Sequence, residues 1–236
     1  MEVTGSTMNA PSRTTATSPI LEAVDLYRFY HAGDDETLAL RGVSLRLYPN
    51  EIVAVTGPSG SGKSTLLACL AGLDEPDGGS VRIAGEMMSR RPEAERAALR
   101  ARKVGVLFQS GNLLDHLSVE QNVLLAQRLA GTVDSQRVAA LLAEVGLADR
   151  AGAAPTTLSG GETARAGLAV ALANNPVVIL ADEPTGELDD VTSTRIMELL
   201  RRHALAGAAI LIVTHNPNVA ATADREISLL DGQVAP

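Results

Sequence analysis

Aromatic side chains are almost missing from this sequence. Its 236 residues hold three tyrosines, two phenylalanines and no tryptophan. A core must therefore be packed from Leu, Val and Ala, and at 45% apolar residues there is enough material for a sizeable one. Cysteine is nearly absent too. Cys69 stands alone, so no disulfide can form within the chain, a reducing compartment fits, and the residue reads as a small packing group on a buried helix. No apolar run reaches the roughly 18 residues needed to cross a bilayer. Basic residues are outnumbered, 20 to 28, for a net charge of −8. That balance lacks the positive footprint of a general nucleic-acid binder, and no nucleic-acid partner is expected. The N-terminus has no apolar h-region and is not a signal peptide. Residues 1–19 are rich in Ser, Thr and Pro and are expected to form a disordered tail. No internal repeat is present.

What remains reads as one α/β domain with an insertion. "PILEAVDLYRFY" and "RGVSLRLYP" alternate as half-buried strands do, with "HAGDDET" a polar turn between them. "EIVAVT" (51–56), "VGVLF" ending at Gln109, "VVILA" (177–181) and "AAILIVT" (208–214) are short apolar runs suited to a buried parallel sheet. "KSTLLACLAGL", "PEAERAALRARK" and the stretch 193–206 read as helices. Residues 110–157 differ: two amphipathic helices, each ending at Gly, suggest a helical insertion. "REISLLDGQV" closes the chain as a hairpin-like pair.

The chemistry lies at the ends of these runs. "GPSGSGKST" spans Gly57, Pro58, Ser59, Gly60, Ser61, Gly62, Lys63, Ser64 and Thr65, and fits G-x-x-x-x-G-K-[ST] between a strand and a helix. The glycines let the backbone wrap phosphates, Lys63 is a point charge for the β- and γ-phosphates, and the Ser64 hydroxyl suits Mg²⁺. "VVILADEP" ends an apolar strand in Asp182 and Glu183. The first acid of such a pair helps hold Mg²⁺ and the second can act as general base on water. Gln109 can bind Mg²⁺ or orient water, although a strand-end glutamine is also an ordinary solvated residue. His215 can donate to a γ-phosphate. Tyr30 can stack on adenine, with Tyr27 and Phe29 competing for the role. His31, His116 and His203 sit in no motif and are expected at the surface. A second anion site is written into "LSGGE": Ser159, Gly160 and Gly161 open a helix with bare N–H groups and the positive end of its dipole, followed by Glu162.

These segments, with "GELD" (186–189), occur in an order that resembles the ATP-binding subunit of ABC transporters over roughly residues 20–234. The phrases "GPSGSGKSTLLACLAGLDEPDGGSV" and "ADEPTGELD" are most similar to the group of lipoprotein-releasing, macrolide-exporting and cell-division ATPases. The resemblance implies an ATPase using ATP and Mg²⁺, built as a P-loop NTPase core with a parallel sheet, an N-terminal antiparallel β subdomain and an inserted helical subdomain, all within 20–236. It implies that two copies pair head to tail, the LSGG helix of one closing over the ATP of the other. Tyr30 would stack on adenine, and Ser64, Gln109 and Asp182 would surround Mg²⁺. Glu183 would be the catalytic base, His215 the γ-phosphate switch and Asp189 a link between the two sites. The partner would be an integral-membrane transporter subunit, placing the chain peripherally on the cytoplasmic face of the membrane. The chain departs from the family pattern at Asn50, where Gly is usual, and at Glu162, Val170, Gly111 and Asp115. The expected function is the motor of an exporter or extractor. The rival is the ATPase of a non-transport membrane regulatory complex of the cell-division type. A single P-loop and signature, with no long coiled coil, disfavour ribosome-acting and DNA-repair relatives.

Overall fold

The computed structural model describes residues 18–32, 35–186 and 188–235. The tail expected over 1–19 lies outside the described residues except for Ser18 and Pro19. Two sheets form the body. One is antiparallel, in the order β2-β1-β4-β5, from β1 (Leu21–Ala32), β2 (Asp35–Leu47), β4 (Gly78–Ile83) and β5 (Glu86–Met87). The other runs β10-β9-β3-β8-β7-β6, from β3 (Ile52–Thr56), β6 (Val104–Leu107), β7 (Val178–Asp182), β8 (Ala209–Val213), β9 (Arg225–Leu230) and β10 (Gln233–Val234). Its pairings are parallel except between β9 and β10. Seven α-helices, α1 (Lys63–Leu70), α2 (Glu93–Lys103), α3 (Val119–Leu129), α4 (Ser135–Glu144), α5 (Gly160–Leu172), α6 (Asp190–Leu205) and α7 (Pro217–Ala220), and two short 3-10 turns (Ala148–Arg150 and Pro155–Thr157) complete the described residues.

β3, β7 and β8 are apolar on both faces because both faces are covered. Their side chains alternate between two cores. Val53, Val55, Val178, Leu180, Leu211 and Val213 face α1 and the antiparallel sheet. Ile52, Ile179, Ala181, Ile210 and Ile212 face α5, α6 and the inserted helices. The insertion thus has no separate core: Val123, Val138 and Leu142 join Leu168 and Leu172 of α5. Asn174 bridges it to α2, its Nδ2 donating to Ala101 O at 3.0 Å and Ala126 O at 2.9 Å. Cys69 is buried, and burial pushes its thiol up to about 12, which suits a packing role. Asn50 adopts φ +67°, the left-handed region that Gly enters freely and Asn tolerates, which accounts for the departure there.

Several boundaries differ from the expectations. β1 and β2 run on through most of the segment expected as a turn, to Ala32 and from Asp35. β6 stops at Leu107, two residues before Gln109, because the Asn112 side chain takes both main-chain groups of Phe108: Oδ1 accepts from its N–H at 2.8 Å and Nδ2 donates to its carbonyl at 2.7 Å. α6 begins at Asp190 rather than 193, capped by Asp189, whose carboxylate accepts from Thr192 N at 2.9 Å and Thr192 Oγ1 at 2.7 Å. His203 is not a surface residue. It lies mostly buried against Glu144 of α4, and burial holds its pKa below the usual value.

Candidate active site

Four neighbouring parallel strands end on one side of the sheet, and each delivers a piece of the site. β3 runs into the glycine-rich loop and α1. β7 ends in Asp182 and Glu183, β8 leads to Thr214 and His215, and β6 leads to Gln109. Together they line a cleft of about 520 Å³. Gly57, Ser59, Gly60, Gly62 and Lys63 form its floor, with Ser64 and Thr65 beside them. Asp182, Glu183, Gln109 and His215 form one wall, and Tyr30 with Ala39 and Arg41 forms the opposite one. Tyr27 and Phe29 do not line it. Tyr27 instead packs over Gly42 and Gly78, where an added Cβ would meet its hydroxyl at 2.9 Å and its ring at 3.3 Å.

The loop is pinned from two sides. A Cβ at Gly62 would lie 2.4 Å from Ala39 O, and one at Gly57 would lie 2.1 Å from Leu229 O. Ser61 is buried beneath, its Oγ without a hydrogen-bond partner, while its carbonyl accepts from Gly232 N at 3.1 Å. Gly62 caps α1 in a left-handed conformation, with no side-chain cap and no acid in the first turn. By contrast α3, α4, α5 and α6 each have a side chain bonded to their first-turn N–H groups. The positive end of α1 is therefore left open toward the cleft, as an anion site requires. Lys63 Nζ is held by the loop itself, donating to Gly57 O and Pro58 O, both at 2.8 Å.

Ser64 Oγ donates to Asp182 Oδ2 at 3.3 Å. Burial pushes the Asp182 carboxyl above its ordinary value, the Glu183 charge adds to this, and Ser64 and Lys63 only partly offset it. Glu183 takes φ +45°, a left-handed turn costing on the order of 1–2 kcal/mol for a residue with a Cβ. That turn brings its carboxylate to the end of β8. Oε1 accepts from His215 N at 2.9 Å and lies 2.7 Å from His215 Nδ1, while Oε2 accepts from Thr214 Oγ1 at 3.1 Å. Glu183 is 11% exposed and His215 74%, so the buried carboxylate is shielded by an exposed imidazole. With Glu183 ionised, the proton is on Nδ1.

Ser159, Gly160, Gly161 and Glu162 do not line this cleft. Gly160 borders a neighbouring one of about 330 Å³ that Gln109 and Glu183 also line. The start of α5 is a capping box: Glu162 N donates to Ser159 Oγ at 3.3 Å, and Ser159 N donates to Glu162 Oε2 at 2.8 Å. Ser159 Oγ also donates to Glu162 Oε2 at 3.0 Å, and Arg150 pairs with Glu162 at 3.2 Å. The S-x-x-E spacing signalled this cap, so Glu162 has a structural task that a ligand-binding reading overlooks. Also missed were Thr214, which acts through its bond to Glu183, and Arg41, Asp231 and Gly232, which line the cleft from elements carrying no motif.

Comparison with known proteins agrees with this layout. The family model described as ABC transporter matches residues 40–186. The macrolide export ATP-binding/permease protein MacB of Shigella flexneri is 43% identical over 220 residues, 92% of this chain and 34% of that protein. An uncharacterized ABC transporter ATP-binding protein of Thermotoga maritima is 44% identical over 218 residues, 91% of this chain and 93% of that protein. This chain spans about a third of the length of the MacB proteins it matches. The dimeric structure of MJ0796, a bacterial ABC transporter cassette, matches with a TM-score of 0.86 at 36% identity, covering 92% of this chain and 97% of that one. A dimeric post-hydrolysis state of the same cassette, bound to ADP and Pi, matches with a TM-score of 0.86. By its nucleotide cleft, its signature helix and these relatives, this chain belongs to the ABC transporter family as an ATP-binding cassette ATPase.

Proposed function

We propose that this chain is the motor subunit of an ABC transporter: two copies pair head to tail around two ATP molecules and drive a separate integral-membrane subunit that exports or extracts a substrate. Export is supported by the similarity to the macrolide export proteins MacB. Among the described residues no helix is long and apolar enough to cross a membrane, and attachment at the cytoplasmic face would come through the membrane partner. The observation that carries the shared-site geometry is Gly160. An added Cβ there would meet nothing within 4 Å, and its φ does not require glycine. The chain's own packing gives no reason for Gly at this position. A reason appears if a second copy must bring its nucleotide against the N-terminus of α5.

The residues present fit ATP and Mg²⁺. The open end of α1, Lys63 and the wrapped loop suit the phosphates. Ser64 and Asp182 supply hard oxygen donors, and the incompletely compensated Asp182 carboxylate suits a divalent cation, with Gln109 on the same wall. When bound, Mg²⁺ would draw charge from the phosphate oxygens. Lys63 exchanges its two carbonyl partners for phosphate. Glu183, aimed by Thr214 and His215, accepts the proton of the attacking water. His215 gives Nδ1–H to Glu183, so a bond donated to the γ-phosphate requires the imidazolium or a change of tautomer. Tyr30 stacks on adenine at the rim. Asp189, besides capping α6, links the two sites across the dimer.

Mixed dimers test the shared site. Pairing a Gly160→Asp copy with a Lys63→Ala copy puts both lesions in one composite site and leaves the other whole. Residual ATP hydrolysis is expected from the whole site, against none when both lesions sit on one copy opposite a wild-type partner, because each site then carries one lesion. Equal hydrolysis in the two arrangements would contradict the head-to-tail geometry.

A further inference from the structure

Tyr30 stands at the edge of the cleft with 39% of its surface exposed. A ring so placed and left unanchored would sample several rotamers and have to be ordered each time a base arrived. Here it is anchored twice. Its Oη donates to Asp74 Oδ2 at 2.8 Å, and the Arg28 guanidinium lies 4.7 Å from its ring centroid. Arg28 and Tyr30 are two apart on β1 and so share a side of the strand. Arg28 is fixed in turn by a bidentate pair to Asp74, Nε to Oδ2 and Nη2 to Oδ1, both at 2.8 Å, and by Nη1 to Asp77 Oδ2 at 2.9 Å. Burial alone would push the Asp74 carboxyl up, but the bonds from Arg28 and Tyr30 outweigh it and hold the group below its ordinary range.

Where Asp74 sits gives these contacts their meaning. It lies just beyond the C-terminal end of α1, the helix whose N-terminus opens on the phosphate floor. The main chain ties it there, with Leu73 N and Asp74 N both donating to Ala68 O, at 2.9 Å and 3.2 Å. One element therefore fixes both ends of a nucleotide. We propose that Asp74 and Arg28 are positioning residues for nucleotide binding: they hold the Tyr30 ring in register with the phosphate cradle so that the base meets a pre-ordered platform. This rests on the reading of Tyr30 as the adenine-stacking ring.

Calorimetric titration of ATP and of inorganic tripolyphosphate, which has no base, tests it. Tyr30→Phe keeps the ring and removes the hydroxyl, with its bond to Asp74 and its contact with Thr65, so folding is not at stake. It should weaken ATP about 3- to 10-fold, the scale of freeing one side chain, and leave tripolyphosphate unchanged. Asp74→Asn should weaken ATP alone as well, but have no further effect when added to Tyr30→Ala. Wild-type ATP affinity in Tyr30→Phe, with a clear loss in Tyr30→Ala, would overturn the positioning role and leave the platform standing. Wild-type ATP affinity in Tyr30→Ala would overturn the platform and the proposal with it. Equal losses for ATP and tripolyphosphate in Tyr30→Phe would make the bond merely structural and overturn the proposal.

Discussion

Glu183, the proposed general base, concentrates the proposed chemistry of the site in one residue. Its left-handed backbone, its low exposure and its three partners at Thr214 and His215 hold a carboxylate aimed at a fixed point. Held groups of this kind typically contribute about 10²–10⁴-fold as general bases. Glu183→Gln keeps the shape and removes the basicity. ATP turnover, followed by phosphate release, should therefore fall by about that factor while ATP affinity stays as in the wild type. Turnover near the wild-type rate would remove Glu183 from the role. His215→Ala deletes the ring that faces Oε1 but leaves the main-chain bond from residue 215. It should slow turnover without matching the loss in Glu183→Gln, and single-turnover rates separate the two. Neither Thr214 nor the His215 main chain could be assigned from the sequence. Their partnership with Glu183 spans more than thirty positions and depends on β7 and β8 lying side by side, whereas Lys63 and Ser64 were legible because their motif is local.

Elements set how much each glycine of the site matters. Gly62 is wedged between α1 and Ala39 O, 2.4 Å from where its Cβ would stand, and Gly60 shares its left-handed φ but faces open space. Gly60→Ala should cost only the backbone strain, about 1–2 kcal/mol or roughly 2–8 °C of melting temperature for a chain of this size. Gly62→Ala should cost clearly more, because the carbonyl of β2 must also move. Thermal denaturation of the two nucleotide-free variants compares them. A second element-level prediction concerns the start of β3. Asp224 Oδ2 accepts from Ile52 N and from Arg201 Nη1, both at 2.7 Å, and the Arg201 bond foremost holds its carboxyl below the usual range. A depressed carboxylate contributes stability above its unfolded value, about 3.9, and loses it as pH falls through the folded value. The side chain is 45% exposed, so the contribution is on the order of 1 kcal/mol or less. Asp224→Asn should therefore melt below the wild type at pH 7, with the gap closing below about pH 4 as the wild-type carboxyl is protonated. A gap independent of pH would refute this. The strands themselves were readable because Val53, Ala54 and Val55, like Val178 to Ala181, are apolar on both faces. The end of β6 was not, because Asn112 intercepts the ladder from four residues away.

At the scale of the molecule, two helix ends proposed to bind anions sit on one chain, and only one of them lines the cleft that β3, β7 and β8 build. Both were legible in the sequence, as "GPSGSGKST" and "LSGGE". The helical insertion between them signalled their separation as well; how α3 and α4 seat α5 against the sheet was not legible. The capping box at Ser159 and Glu162 satisfies part of the α5 terminus from within, yet Gly160 remains open on the surface that a second copy would meet. The most direct test follows the mass of the protein by light scattering during size-exclusion chromatography with ATP. Glu183→Gln should run as a dimer, because ATP persists between the two copies. Adding Gly160→Asp places a carboxylate where the partner's γ-phosphate would sit, and like charges repel strongly in a dry interface. The double variant should run as a monomer while binding ATP with the affinity of Glu183→Gln and melting at the same temperature. A double variant that still dimerises with ATP, or a single variant that never does, would contradict the account.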